Sequence, residues 1–191
     1  MSLTLTSKTL NFHSAWGKVG NVGEEIANKD GRFLALIFLF SDMSSFKGRY
    51  SYSVDNKGRL ALPAKLRKTV SPDANETFIV TRGFEQCLFV YPQDEWNKLE
   101  ESIRQLSPSN PQHRFFVRTL LQWATDCQLD SQARISVPQD LLKFAGVENE
   151  VLIIGVLERI EIWNPRIYEE YMNNQPATYE TVAEDVLKKN A

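Results

Sequence analysis

Two aspartates, each followed four residues later by an arginine, are the groups in this chain best placed to do chemistry: Asp55 with Arg59, and Asp130 with Arg134. An Asp at the head of a tight turn accepts backbone N–H groups. An Arg on the returning strand can grip the same carboxylate while projecting guanidinium donors outward. Paired in this way the two residues fasten a turn, and that is the reading for Asp55 and Asp130. Two carboxylates related by symmetry could instead share a proton as an acid–base dyad. Neither site reads Asp-Thr/Ser-Gly, and each Asp has an Arg nearby to hold it ionised. The sequence therefore points away from that enzyme class and predicts no catalytic residue. Arg59 differs from Arg134 in its company: Lys57, Lys65, Arg67 and Lys68 surround it. A cluster of that kind suits phosphate contact, and Arg can also read guanine O6 and N7.

The two pairs belong to a duplication. Asp55-Asn-Lys-Gly-Arg59-Leu-Ala-Leu-Pro63-Ala-Lys-Leu66 returns 75 residues later as Asp130-Ser-Gln-Ala-Arg134-Ile-Ser-Val-Pro138-Gln-Asp-Leu141. After a three-residue deletion, Thr81-Arg-Gly83-Phe-Glu-Gln-Cys-Leu-Phe-Val-Tyr91 falls against Ile153-Ile-Gly155-Val-Leu-Glu-Arg-Ile-Glu-Ile-Trp163. A copy of roughly 40 residues is too small to bury an adequate core alone. The two are expected to intertwine about a pseudo-twofold axis.

The elements that must carry the pairs are legible. Tyr50, Tyr52 and Val54 alternate with Ser51 and Ser53, the period-two mark of a half-buried strand. Asp55-Asn-Lys-Gly58 turns, with Gly58 free to take a positive φ. Residues 59–62 return as a strand, and Pro63 is predicted to be the first residue of a helix reaching Val70. Strands are expected at 78–82 and 87–91, then a helix from Pro92 and a linking helix over 111–123. The second copy repeats the order: strands at 125–130, 134–137, 151–155 and 159–163, a helix from Pro138, and a last helix through 168–172. The fold class is mainly β with short helices. The domain reading is a first repeat over 48–95, linking helices over 96–124, a second repeat over 125–172 and an acidic tail over 173–191.

Charge is uneven. The net charge is −2, yet residues 43 to 72 hold seven Lys or Arg, including Lys47 and Arg49, against one acid, while residues 148 to 191 hold nine acids and four bases. Local patches of this kind, more than the total, decide attraction to nucleic acid. Cys87 and Cys127 lack CxxC spacing and read as reduced core residues, and two histidines are too few for a zinc site. No cofactor motif is present. The apolar run Phe33 to Phe40 is too short for a bilayer span and is not placed like a secretory signal. Residues 1–42 read as a non-family extension, with translation expected to begin at Met43; a peptide from 1–42 in the native protein would exclude that.

Tyr-Ser-Val-Asp55-Asn-Lys-Gly-Arg59-Leu-Ala-Leu-Pro63-Ala-Lys-Leu-Arg67 resembles the SpoVT/AbrB-type DNA-binding element. Two tandem copies opened by Phe46-Lys-Gly-Arg-Tyr50 make the stretch from Met43 to about Tyr171 similar to the MraZ family. The resemblance implies two pseudo-symmetric, swapped-hairpin AbrB-like β-barrel repeats. It implies a cytoplasmic, nucleoid-associated transcriptional regulator that represses its own promoter in the cell-division and cell-wall gene cluster. Such a protein binds double-stranded DNA at repeated boxes as a homo-oligomeric ring, without cofactor, membrane or small-molecule substrate. By position, the DxxxR signature falls on Asp55, Arg59, Asp130 and Arg134, and the basic pair after the short helix on Arg67 and Lys68. The chain departs from the pattern at Ala133, where glycine is usual, and in its flanks, where Gln139, Asp140 and Leu142 stand near the positions at which the first copy has basic residues. The copies are therefore expected to be unequal, the first dominating DNA contact. An alternative is an antitoxin-like DNA-binding module that also neutralises a partner protein.

Overall fold

A computed structural model describes residues 44–189; the extension over 1–42 and the expected start at Met43 lie outside the described residues. Among the described residues there are eight strands: β1 Phe46–Ser53, β2 Arg59–Ala61, β3 Thr77–Arg82, β4 Cys87–Pro92, β5 Thr125–Gln128, β6 Arg134–Ser136, β7 Glu150–Leu157 and β8 Arg159–Trp163. The helices are α1 Ala64–Arg67, α2 Gln93–Arg104, α3 Pro111–Leu121, α4 Gln139–Phe144, α5 Pro165–Asn173 and α6 Tyr179–Lys189. Six strands form one antiparallel sheet in the order β1-β7-β8-β4-β3-β5, and β2 and β6 form a separate two-stranded ribbon.

The copies interlock strand by strand. The first strand of copy one, β1, pairs with β7 of copy two, and β5 of copy two pairs with β3 of copy one. Two pairings join repeat mates face to face: Leu60 lies opposite Ile135 in the ribbon, and Phe89 opposite Glu161 where β4 meets β8. Two residues that are mates in the duplication and also cross-strand partners must straddle a local twofold axis, as in an isologous dimer contact. The ribbon adds the matching pair of hydrogen bonds, from Val137 N–H to the Gly58 carbonyl (2.9 Å) and from Leu62 N–H to the Ala133 carbonyl (3.1 Å).

Alternation along the sheet sends side chains into two cores. Phe78, Val80, Leu88, Val90, Ile153, Ile160 and Ile162 meet Leu60, Leu66, Ile135 and Leu141 from the ribbon and short helices. Ile79, Phe89, Tyr91, Leu152 and Trp163 meet Trp96 of α2 and Leu120 of α3, with Ile167 and Tyr168 of α5 packed against them. The sheet is covered on both faces, which is why β4 and β7 read as near-continuous apolar runs. The order of layers is ribbon with α1 and α4, then sheet, then α2, α3 and α5.

The expected α+β class, mostly antiparallel with short helices, is present. There is no closed barrel among the described residues, because each motif's returning strand is only three residues long and pairs with its mate from the other copy. The first short helix ends at Arg67 instead of Val70, since the N–H groups of Thr69 and Val70 bond three residues back to Leu66 and Arg67. Pro63 and Pro138 stand one position before their helices with extended backbone, ψ 131° and 141°. Both cysteines are free and buried; burial pushes the Cys87 thiol up to about 12 and that of Cys127 to about 11, so thiolate chemistry is suppressed. No helix among the described residues is long and apolar enough to cross a membrane.

Candidate functional site

The two Asp–Arg pairs build the same object twice. Asp55 Oδ1 accepts the N–H groups of Lys57 (2.9 Å) and Arg59 (3.0 Å), while Arg59 Nε donates to Oδ2 at 2.7 Å. Asp130 Oδ1 accepts from Gln132 (2.9 Å) and Arg134 (2.9 Å), and Arg134 donates to Oδ2 through Nε at 2.8 Å and Nη2 at 2.7 Å. The hydrogen bond from the Arg59 backbone N–H is the largest cause holding the Asp55 carboxyl below the usual carboxylate range; for Asp130 it is the Arg134 side chain. Both are ionised at neutral pH, each gripped by its own arginine. A shared-proton dyad requires the opposite, one carboxyl raised by its neighbour.

Because Leu60 and Ile135 point inward and are fully buried, their neighbours in β2 and β6 must point outward. Arg59 and Arg134 therefore stand on the outer face of the ribbon, opposite Ser136 and Ala61 respectively. Those two small side chains leave the arginines as the tallest groups on that face. Nothing in the sequence singles out Ala61 and Ser136; their role becomes visible only once the ribbon register is known. Lys57 is exposed in the first turn, and Lys65 and Lys68 are exposed on and just after α1, which leaves the ribbon where Leu62 N–H bonds the Ala133 carbonyl of the second turn. Arg67 is half-buried, with Nε donating to the Leu62 carbonyl at 3.1 Å, so it fastens the end of the ribbon as well as carrying charge. In the second copy the repeat mates of Lys57, Lys65 and Arg67 are Gln132, Asp140 and Leu142. The mate of Lys68 is Lys143, which pairs with Asp140 at 3.6 Å.

Lys47 and Arg49 are elsewhere. Arg49 lies opposite Ile154, which packs in the helix-side core, and its guanidinium sits 5.5 Å from the Tyr168 ring centre. Directly opposed residues share a face, so Arg49, and by alternation Lys47, occupy the face of the sheet away from the ribbon.

Gly58 has φ 75° and its mate Ala133 has φ 60°. The turn keeps its left-handed residue in both copies, so the alanine carries strain that the glycine does not, roughly 1–2 kcal/mol for an L-residue. Replacing Ala133 by Gly is expected to raise stability by up to about 1 kcal/mol after the greater unfolded-state freedom of glycine is subtracted. Gly58→Ala is expected to lower it by about 1–2 kcal/mol, as its Cβ would approach the Val137 carbonyl oxygen at 2.5 Å. Urea midpoints of the two variants moving in the same direction would contradict the equivalence of the turns.

A family model described as "MraZ protein, putative antitoxin-like" matches the chain twice in tandem, over residues 45–119 and 120–190. The chain belongs to the MraZ family. A protein of Natranaerobius thermophilus named "Transcriptional regulator MraZ" is 41% identical over 142 residues, covering 74% of this chain and 96% of its own length. Proteins with the same name from Carboxydothermus hydrogenoformans and Desulfitobacterium hafniense are 41% and 39% identical over the same coverage. One Asp–Arg fastening lies in each matched MraZ segment, and the segments meet inside α3.

Proposed function

We propose that this chain is a sequence-specific DNA-binding transcriptional regulator and that the outer face of the β2–β6 ribbon is its reading surface. The observation that carries this is the placing of Arg59 and Arg134, each held by its aspartate, on one solvent-facing ribbon, with Lys57 in the turn beside Arg59 at one end and Lys65, Arg67 and Lys68 on and just after α1, which leaves the ribbon at the Arg134 end. A two-stranded ribbon fits the B-DNA major groove. The paired arginines are pre-oriented to meet base edges, and the lysines meet phosphates on either side. Lys47 and Arg49, separated from the ribbon by the sheet, are assigned no contact in the same groove. Function needs no cofactor and no chemistry on the DNA. The names of the relatives support the regulatory reading.

The finer proposals come from the MraZ and AbrB-like pattern. The chain acts in the cytoplasm and nucleoid as a repressor of its own promoter, binding repeated boxes as a ring. Its two copies, 48–95 and 125–172, form swapped-hairpin units joined through 96–124, a reading that the exchanged pairing of β1 with β7 and β5 with β3 supports. About five or six neutralised phosphates per subunit would give a salt slope near −5 and weak binding by a single subunit. Several subunits on evenly spaced boxes raise the affinity through effective concentration. The test is a salt-titrated binding assay of the full chain on DNA from upstream of its own gene. Tight binding that depends on the repeated boxes is expected; equal binding to scrambled DNA would overturn sequence specificity.

A further inference from the structure

The outer face of the ribbon is made by Arg59 and Ala61 of β2 and by Arg134 and Ser136 of β6. Arg59 and Ser136 are opposed at one end and Ala61 and Arg134 at the other, so the arginines hold one diagonal and the small residues the other. Two residues of strand span about 7 Å and paired strands lie about 5 Å apart. The face is therefore about as tall as two base-pair steps. Each arginine bends back over its own turn, where Nε donates to the aspartate, at 2.7 Å for Asp55 and 2.8 Å for Asp130. The guanidiniums are thereby drawn to opposite ends of the ribbon. The small side chains are left uncovered, Ser136 exposed and Ala61 half-buried. A ribbon seated in the major groove carries its outward residues against base edges, and side chains this short let the backbone come close enough for a methyl or a hydroxyl to touch a base.

Arg59 and Arg134 are repeat mates, and so are Ala61 and Ser136. The local twofold through Leu60 and Ile135 therefore carries an arginine onto an arginine but a methyl onto a hydroxyl. An alanine methyl suits the thymine C5-methyl, whereas a serine hydroxyl both donates and accepts and suits the amino, carbonyl and ring-nitrogen groups of the groove. Placed against a thymine methyl with water excluded, the hydroxyl would lose its hydrogen bonds to solvent without replacement. The Ser136 carbonyl is taken by the Cys127 thiol at 3.2 Å, while its hydroxyl has no partner among the described residues.

We propose that Ala61 and Ser136 are specificity-determining residues that make the two halves of the recognised DNA site unlike. The base pair facing Ala61 is one that presents a thymine methyl, and the base pair facing Ser136 is one that presents a hydrogen-bonding group in its place. The inference rests on the ribbon reading above and assigns its base preferences beside the two arginines.

The test is selection of binding sites from randomised duplex DNA by the full chain, with wild type, Ala61→Ser, Ser136→Ala and the double exchange compared. Each single exchange alters one surface oxygen atom. Wild type is expected to select a site with unequal halves. Ser136→Ala should gain a preference for thymine at one position, Ala61→Ser should lose it at another, and the double exchange should swap the two preferences while the rest of the site is unchanged. Replacing the selected thymine by uracil removes the methyl group alone; it should weaken wild type by about fourfold, the worth of one buried methyl, and leave Ala61→Gly unaffected. If every variant selects the wild-type sequence while Arg59→Ala selects none, the assignment of Ala61 and Ser136 is overturned and the ribbon reading stands. Equal halves in the wild-type site, or uracil tolerated by wild type, would overturn the assignment as well. A wild type that selects no sequence, or an Arg59→Ala that selects the wild-type site, would overturn both.

Discussion

Replacing Arg59 by alanine is expected to weaken binding to the cognate DNA by about 10- to 100-fold, corresponding to about 1–3 kcal/mol for a base-reading arginine. The binding should also lose most of its preference over scrambled DNA. Two effects act together. The guanidinium that reaches the base edge is gone, and the Asp55 carboxylate that it covered at 2.7 Å is left ionised and facing a polyanion. Arg59→Lys restores the charge without the planar fork, so it should recover more affinity than discrimination. Arg134→Ala removes an arginine with the same geometry, 2.7 Å from its own aspartate, on the same ribbon face. Its loss should nevertheless be smaller, because its own turn carries Gln132 where the turn of Arg59 carries Lys57. The Asp130–Ala133 turn therefore has no lysine of its own to meet a phosphate. Salt-titrated binding of both variants separates these roles: equal losses would refute the asymmetry of the copies, and an unchanged Arg59→Ala would remove the ribbon as the reading surface.

The duplication made much of this legible from sequence. Repeat arithmetic names Leu60 with Ile135 and Phe89 with Glu161 as mates, and a pseudo-twofold follows once the copies are too small to fold alone. The Asp–Arg turns were readable because Asp, Gly and Arg have specific roles in a tight turn. At Ala133 the sequence left open whether the positive φ was relaxed or strained, and the structure shows φ 60° retained. Other features depend on tertiary placement. Strand propensity marks residues 59–62 as extended but does not say whether they join the sheet or pair with their mate, and that choice separates an open sheet plus ribbon from a barrel. Lys47 and Arg49 counted toward one basic cluster in the linear charge tally. Their period-two phase, shared with Ser51 and opposite to Tyr50 and Tyr52, was the available signal that they face the other way. The apolar spacing in 179–187 was likewise present but masked by the acidic composition around it.

Leu60→Ala and Ile135→Ala should each destabilise the protein by about 2–5 kcal/mol, the usual cost of truncating a fully buried aliphatic side chain. Both residues are 0% exposed and belong to the same core cluster. Against a total stability of about 5–15 kcal/mol for a typical domain, either loss is a large fraction. The informative part is how it is shared. If the copies were two domains, Leu60→Ala would lower only the first transition and Ile135→Ala only the second. Here β1 of copy one is hydrogen-bonded to β7 of copy two and β3 to β5, so neither copy can unfold and leave the other's sheet intact. Each variant should therefore show one cooperative urea transition, coincident by tryptophan fluorescence and by circular dichroism, shifted to lower midpoint with the slope preserved. The double variant should lose less than the two single losses combined, because the residues face each other across the ribbon and would share one cavity. Two separable transitions in either single variant would mean that the copies fold independently, and the intertwined sheet would then be wrong.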